Sequence, residues 1–169
     1  AIIDHARDAV ARLVNAKPLE VVFTSGATEA NVWAVSGARD AVAVPGIEHD
    51  SVLAPVRASG ARLIGIPAEA SGTARIEAIA DSLPKGALIA LQWANNETGV
   101  MQPVAEAARV ALERGLTFHT DAVQAAGRVA LDFAASGATT MSLSAHKMGG
   151  PKGAGALIIR DGAALKPLL

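Results

Sequence analysis

The sequence predicts an α/β domain in three layers, a mainly parallel sheet covered by helices on both faces. Three observations predict it. Apolar runs such as "AVAV", "ALIALQW" and "GALIIR" are nearly continuous, whereas strands wetted on one face alternate polar and apolar residues. Those runs alternate with stretches of helical periodicity, as β-α repeats do. No internal repeat, low-complexity tract or long linker divides the 169 residues, so a single domain is expected.

Each element has a local reason. "HARDAVARLVNA" carries Ala6, Ala9, Leu13 and Val14 along one helical stripe, and Pro18 separates it from the strand "LEVVF". After "TSGATEA" a second helix runs to about Ala38. "AVAV" is then a strand, "DSVLAPVRA" a helix and "ARLIGI" another buried strand. "IEAIADSL" reads as helix, "ALIALQW" as strand, "VAEAARVALERG" as a helix stopped by Gly115, and "LTFH" as strand. "ATTMSLS" and "GALIIR" are strands on either side of a glycine-rich turn.

Composition narrows the function. Fifteen basic residues against sixteen acidic ones leave no electrostatic footprint for nucleic acid. With no cysteine there is no disulfide, thiolate metal site or cysteine nucleophile within the chain. No apolar run approaches a membrane span, and the first residues lack the apolar centre of a secretory signal. A cytoplasmic protein without membrane partners is expected. The chain opens on Ala1 and closes on "GAALKPLL", which reads as a piece of something larger.

In parallel sheets ligands collect at the carboxyl ends of strands, and five loops there carry unusual residues. "TSGATEAN" places Ala27 and Thr28 at a helix start, where free N–H groups and the helix dipole suit a phosphate. A simple helix cap by Ser25 or Thr28 explains the same residues. "PGIEHDS" offers His49, which also reads as a surface residue. "ANNETG" offers Asn95 and Asn96, which also read as turn chemistry. "TDAVQAAG" offers Asp121, beyond a strand end, and Gln124; an N-cap aspartate is the plainer reading. "SLSAHKMGGPKGAGAL" puts Ser144, His146 and Lys147 at the mouth of the glycine turn. Together, a phosphate cradle, a carboxylate, an imidazole, amides and a lysine are the parts that hold pyridoxal 5'-phosphate. The turn lacks the spacing of a nucleotide-binding phosphate loop and precedes a strand, not a helix.

"FTSGATEAN", "EHDSV", "NNETGVMQPV", "FHTDAVQAAG" and "SLSAHKMGGPKGAGAL", in this order, resemble successive signatures of the cysteine desulfurases, the NifS/IscS-like branch of class V pyridoxal-phosphate enzymes. The resemblance runs from about Leu19 to about Arg160. It implies the large domain of the aspartate aminotransferase-like fold over residues 1–169, without the N-terminal segment and small domain that family members carry. It implies that Lys147 binds the cofactor covalently, that His49 stacks on its ring and assists catalysis, and that Asp121 pairs with the pyridine nitrogen. It assigns Ala27, Thr28, Ser144 and His146 to the phosphate, and Asn96 and Gln124 to the ring's oxygen side. His119 is given a structural role, its side chain expected to diverge from that of Asp121 if the strand continues that far. The implied reaction converts L-cysteine to L-alanine, passing sulfur to a cysteine outside this chain, for iron–sulfur cluster or related biosynthesis. The implied partners are a sulfur-acceptor or iron–sulfur scaffold protein and a second copy in a homodimer. A selenocysteine lyase, another class V lyase or transaminase, and a noncatalytic scaffold of this fold are the alternatives. Lacking a thiol, these 169 residues alone are expected not to turn over L-cysteine.

Overall fold

The computed structural model describes residues 1–38 and 40–168. Seven strands, β1 (Val21–Thr24), β2 (Ala41–Pro45), β3 (Arg62–Ile66), β4 (Leu88–Ala90), β5 (Thr117–Asp121), β6 (Thr140–Ser144) and β7 (Gly155–Ile159), form one sheet in the order β1-β7-β6-β5-β4-β2-β3. Strands β2 to β6 pair in parallel, and β7 runs antiparallel to both β1 and β6. Strand β1 therefore points the same way as β2 to β6. The carboxyl ends of these strands share one edge of the sheet, and β7 begins there.

The continuous apolar runs are explained by helices on both faces. On one side α2 (Ala27–Ser36) and α3 (Asp50–Ala58) bring Val35, Val52 and Val56 onto Val42, Val44, Leu88 and Ala90. The intervening residues Ala43 and Ile89 point the opposite way, into a larger core with Phe118 and Met141. That core is closed by α1 (Ile2–Val14), the single-turn α4 (Glu77–Ala80), α5 (Val104–Arg114) and the single-turn α6 (Phe133–Ser136). Period-two side-chain direction thus feeds two cores from the same strands.

Three details differ from the sequence reading. The strand at "ARLIGI" lies at the sheet edge, with Arg62, Leu63 and Gly65 exposed and Ile66 buried; an apolar run does not report whether a second neighbour exists. The helix at "IEAIADSL" stops after one turn. Pro84 disfavours helical backbone at Leu83, and Ser82 Oγ bonds the Ile79 carbonyl at 2.8 Å. Helix α6 is too short to show a period; it is set by Asp132 accepting from the Ala135 N–H and by Gly137 in the left-handed region at φ 72°.

Candidate active site

A cavity of about 440 Å³ opens at the shared edge and takes lining residues from all five loops singled out in the sequence. Helix α2 enters it by its N-terminus. Here Glu29 turns back, accepting from the Ser25 N–H (2.7 Å) and hydroxyl (2.6 Å). The Ser25 hydroxyl, then its N–H, hold the Glu29 carboxyl below the usual range. Ser25 is thereby occupied, and neither it nor Thr28 caps the helix, whose N-cap is Gly26. The N–H groups of Ala27 and Thr28 and the Thr28 hydroxyl make no hydrogen bond among the described residues. Both residues line the cavity, at the positive end of the helix dipole.

His49 is the N-cap of α3 and lines the same cavity. Its Nδ1 accepts from the Ser51 N–H at 3.0 Å and lies 2.8 Å from Ser51 Oγ. The preceding Glu48 is buried and accepts from the N–H groups of Gln92 and His49. Burial, then the nearby charge of Asp121, push its carboxyl up to about 8. Of the two adjacent asparagines, Asn95 is structural. Its Oδ1 accepts from the N–H groups of Glu97 (2.9 Å) and Thr98 (2.8 Å), and its Nδ2 donates to the Ile47 carbonyl. Asn96 is the one that lines the cavity.

Asp121 is the last residue of β5, not a residue beyond it. Because the strand extends that far, His119 and Asp121 share a face and do not diverge. Both meet Asn31, a fully buried residue of α2 that the motif reading passed over. Asp121 Oδ2 accepts from Asn31 Nδ2 at 2.7 Å, and Oδ1 from the Val123 N–H at 2.9 Å. Burial raises the Asp121 carboxyl, while the Val123 and Asn31 donors and His49 draw it down. His119 is wholly buried between Thr140 Oγ1 (2.9 Å) and Asn31 Oδ1 (3.0 Å), and burial depresses its imidazole to about 3. An asparagine beside the inward-facing Ala30 and Ala34 was the available signal for Asn31.

Strand β6 delivers the remaining groups. Ser144 is buried beneath the cavity, its hydroxyl 2.8 Å from His146 Nδ1, and it supports His146 from behind. His146 and Lys147 follow in a 3-10 turn, and both line the cavity with Gln124. The Lys147 ammonium makes no ion pair among the described residues. Its carbonyl accepts from Arg128 Nη2 at 3.1 Å, while Arg128 Nη1 donates to the Gln124 carbonyl at 3.0 Å. Arg128, unremarked in the sequence, ties the Asp121 loop to the lysine turn. Lys152 and Gly153 complete the wall.

These residues fit pyridoxal 5'-phosphate. Unbonded N–H groups at a helix N-terminus suit its phosphate, a buried carboxylate its ring nitrogen, and an unpaired amine its aldehyde, within a cavity of ordinary ligand size.

Known proteins resemble this chain along nearly its whole length. The chain is 39% identical to an IscS-like cysteine desulfurase of Mycobacterium tuberculosis, over 99% of this chain and 47% of that protein. It is 45% identical to a cysteine desulfurase of Bradyrhizobium diazoefficiens, over 89% of this chain and 41% of that one. Among solved structures, one described as SspA in complex with cysteine superposes with a TM-score of 0.93 at 33% identity, covering 99% of this chain and 52% of the other. The chain spans about half the length of the curated relatives it matches. The aminotransferase class-V family profile matches residues 1–169 from end to end, and the chain belongs to that family.

Proposed function

We propose that this chain is the cofactor-binding large domain of a pyridoxal 5'-phosphate-dependent cysteine desulfurase that converts L-cysteine to L-alanine. The observation that carries the reading is the meeting of Lys147, Asp121 and the α2 N-terminus in one cavity. The relatives' names support the reaction, and the neighbour described in complex with cysteine supports the substrate. No helix among the described residues is long and apolar enough to cross a membrane, and we assign the protein to the cytoplasm. A homodimer, a sulfur-acceptor or iron–sulfur scaffold protein as partner, and a remaining small domain belong to the same proposal.

Ala27, Thr28 and His146 hold the phosphate, with Ser144 fixing His146. His49, Asn96 and Gln124, which line the cavity, would hold the ring. Lys147 would hold the cofactor covalently through Nζ, and its amine, when free, would move protons at the substrate α-carbon. When bound, the cofactor supplies an electron sink for the charge developing on that carbon. Asp121 would hold a proton on the ring nitrogen. The sulfur then goes to an attacking thiolate, which forms a persulfide as the C–S pair remains with carbon and is protonated to give alanine. With no cysteine among the 169 residues, that thiol lies outside them.

The test is borohydride reduction of the cofactor-loaded protein followed by peptide mass spectrometry. The expected adduct is on Lys147 and is absent from Lys147→Ala. An adduct on Lys152, or none, overturns the assignment.

A further inference from the structure

Beneath the cavity runs a hydrogen-bond chain through side chains from four elements: Thr140 on β6, His119 and Asp121 on β5, Asn31 on α2, and Ser51 on α3, which reaches His49. Asn31, His119 and Thr140 are almost completely buried, and Ser51 and Asp121 are buried as well. In such surroundings each polar hydrogen needs an acceptor, so the proton positions can be derived link by link.

An ionised Asp121 only accepts, and Oδ1 already takes the Val123 N–H. Its Oδ2 therefore requires the Asn31 amide nitrogen, which donates its second hydrogen to Ser51 Oγ at 2.8 Å. The Asn31 oxygen is left facing His119 Nε2, which must carry a proton, so His119 Nδ1 accepts from the Thr140 hydroxyl. At the other end Ser51 Oγ, already accepting from Asn31, turns its own hydrogen to His49 Nδ1. The Ser51 N–H points at the same nitrogen. With two donors on Nδ1, a neutral His49 carries its hydrogen on Nε2.

We propose that Asn31 and Ser51 are positioning residues that hold Asp121 as a pure acceptor and lock His49 as the Nε2–H tautomer. This deepens the cofactor reading: His49 meets the occupant of the cavity as a hydrogen-bond donor, its basic nitrogen turned onto Ser51. To act as a base it must give up both Ser51 hydrogen bonds. The reversed arrangement, with Asn31 Oδ1 toward Asp121 and His119 protonated on Nδ1, requires Asp121 to hold a proton. The two arrangements therefore differ at an observable atom.

The experiment is long-range 1H–15N correlation spectroscopy of the histidine-labelled protein without cofactor at neutral pH, in the parent, Ser51→Ala and Asn31→Leu. The expected result is Nε2–H at both His119 and His49 in the parent. Ser51→Ala removes the hydroxyl donor and keeps the backbone N–H, so His49 stays Nε2–H with its Nδ1 signal shifted, and His119 is unchanged. Asn31→Leu removes the acceptor at His119 Nε2 and moves its signals. An Nδ1–H at His119 or at His49 in the parent, or a His49 Nδ1 signal unmoved by Ser51→Ala, overturns the proposal; all are decided even if Asn31→Leu does not fold. Because the tautomers are read without cofactor, their failure leaves the cofactor reading standing, and the borohydride result leaves theirs standing.

Discussion

Gly155, the first residue of β7, lies against the backbone of Gly26 at the head of α2, so closely that a Cβ at position 155 would stand 2.6 Å from Gly26 Cα. The same Cβ would lie 2.8 Å from the Leu143 carbonyl oxygen. The lysine turn and the α2 N-terminus are thus held together by a contact between two residues without side chains.

Gly155→Ala is expected to destabilise the fold by about 1–3 kcal/mol, the usual cost of overpacking where the obstacle is backbone and does not yield. Gly153, two residues earlier, has open space around it but a φ of 81°. Gly153→Ala should cost about 1 kcal/mol from left-handed backbone alone. Urea unfolding of both variants checks the order; equal costs would mean the turn moves away from α2 without resistance.

Asp121→Asn preserves shape and removes charge. In the complete cofactor-loaded enzyme it is expected to lower kcat on the order of 10²-fold, since the carboxylate acts where charge develops. Cofactor affinity should fall much less, because the phosphate contacts proposed above lie elsewhere, at α2 and His146. Steady-state kinetics at saturating cofactor measures the first and equilibrium dialysis the second. Unchanged kcat would remove Asp121 from the mechanism.

The framework was legible because burial on two faces writes itself into sequence: "AVAV" is β2 with Val42, Val44 and Ala43 feeding opposite cores. The five loops were legible because loop chemistry at strand ends is local. Asn31 was not, because a buried asparagine in a helix has no meaning until β5 and α3 are placed beside it. The His119 direction failed for a different reason: residues two apart on a strand share a face, so continuing the strand to Asp121 brings the two side chains together, not apart. Arg128 acts through two carbonyls, contacts that no side-chain pattern records.

Thr120 also lies on β5, and its hydroxyl is buried without a hydrogen-bond partner among the described residues. Valine has the same branched shape and no group to desolvate. Thr120→Val is expected to stabilise the protein by about 1 kcal/mol. Thermal melting is the check, and a lower melting temperature would show that the hydroxyl has a partner in solution.

Glu48→Gln should change how stability depends on pH. Glu48 is shut between the ends of β2 and β4, facing Asp121, with the N–H groups of Gln92 and His49 on its oxygens. Burial first, then Asp121, raise its carboxyl from 4.5 to about 8. Between those values the folded protein holds a proton that the unfolded chain has released, so the folded state binds more protons and its stability falls as pH rises. The contribution is complete below about 4.5 and lost as pH rises through about 8, with a slope of at most about 1.4 kcal/mol per pH unit from one group. Glutamine mimics the protonated acid at every pH. Urea unfolding at pH 5, 6, 7 and 8 should therefore show parent and variant similar near pH 5, with the parent losing ground steadily toward pH 8. His119 cannot mimic this trend: its depressed imidazole contributes stability above about 6.5 that is lost as pH falls toward about 3, the opposite sign in a lower window. Asp121 is present in both proteins and largely cancels in the difference. Parallel curves for parent and variant across that range would mean that Glu48 ionises in the folded protein as it does in the unfolded chain.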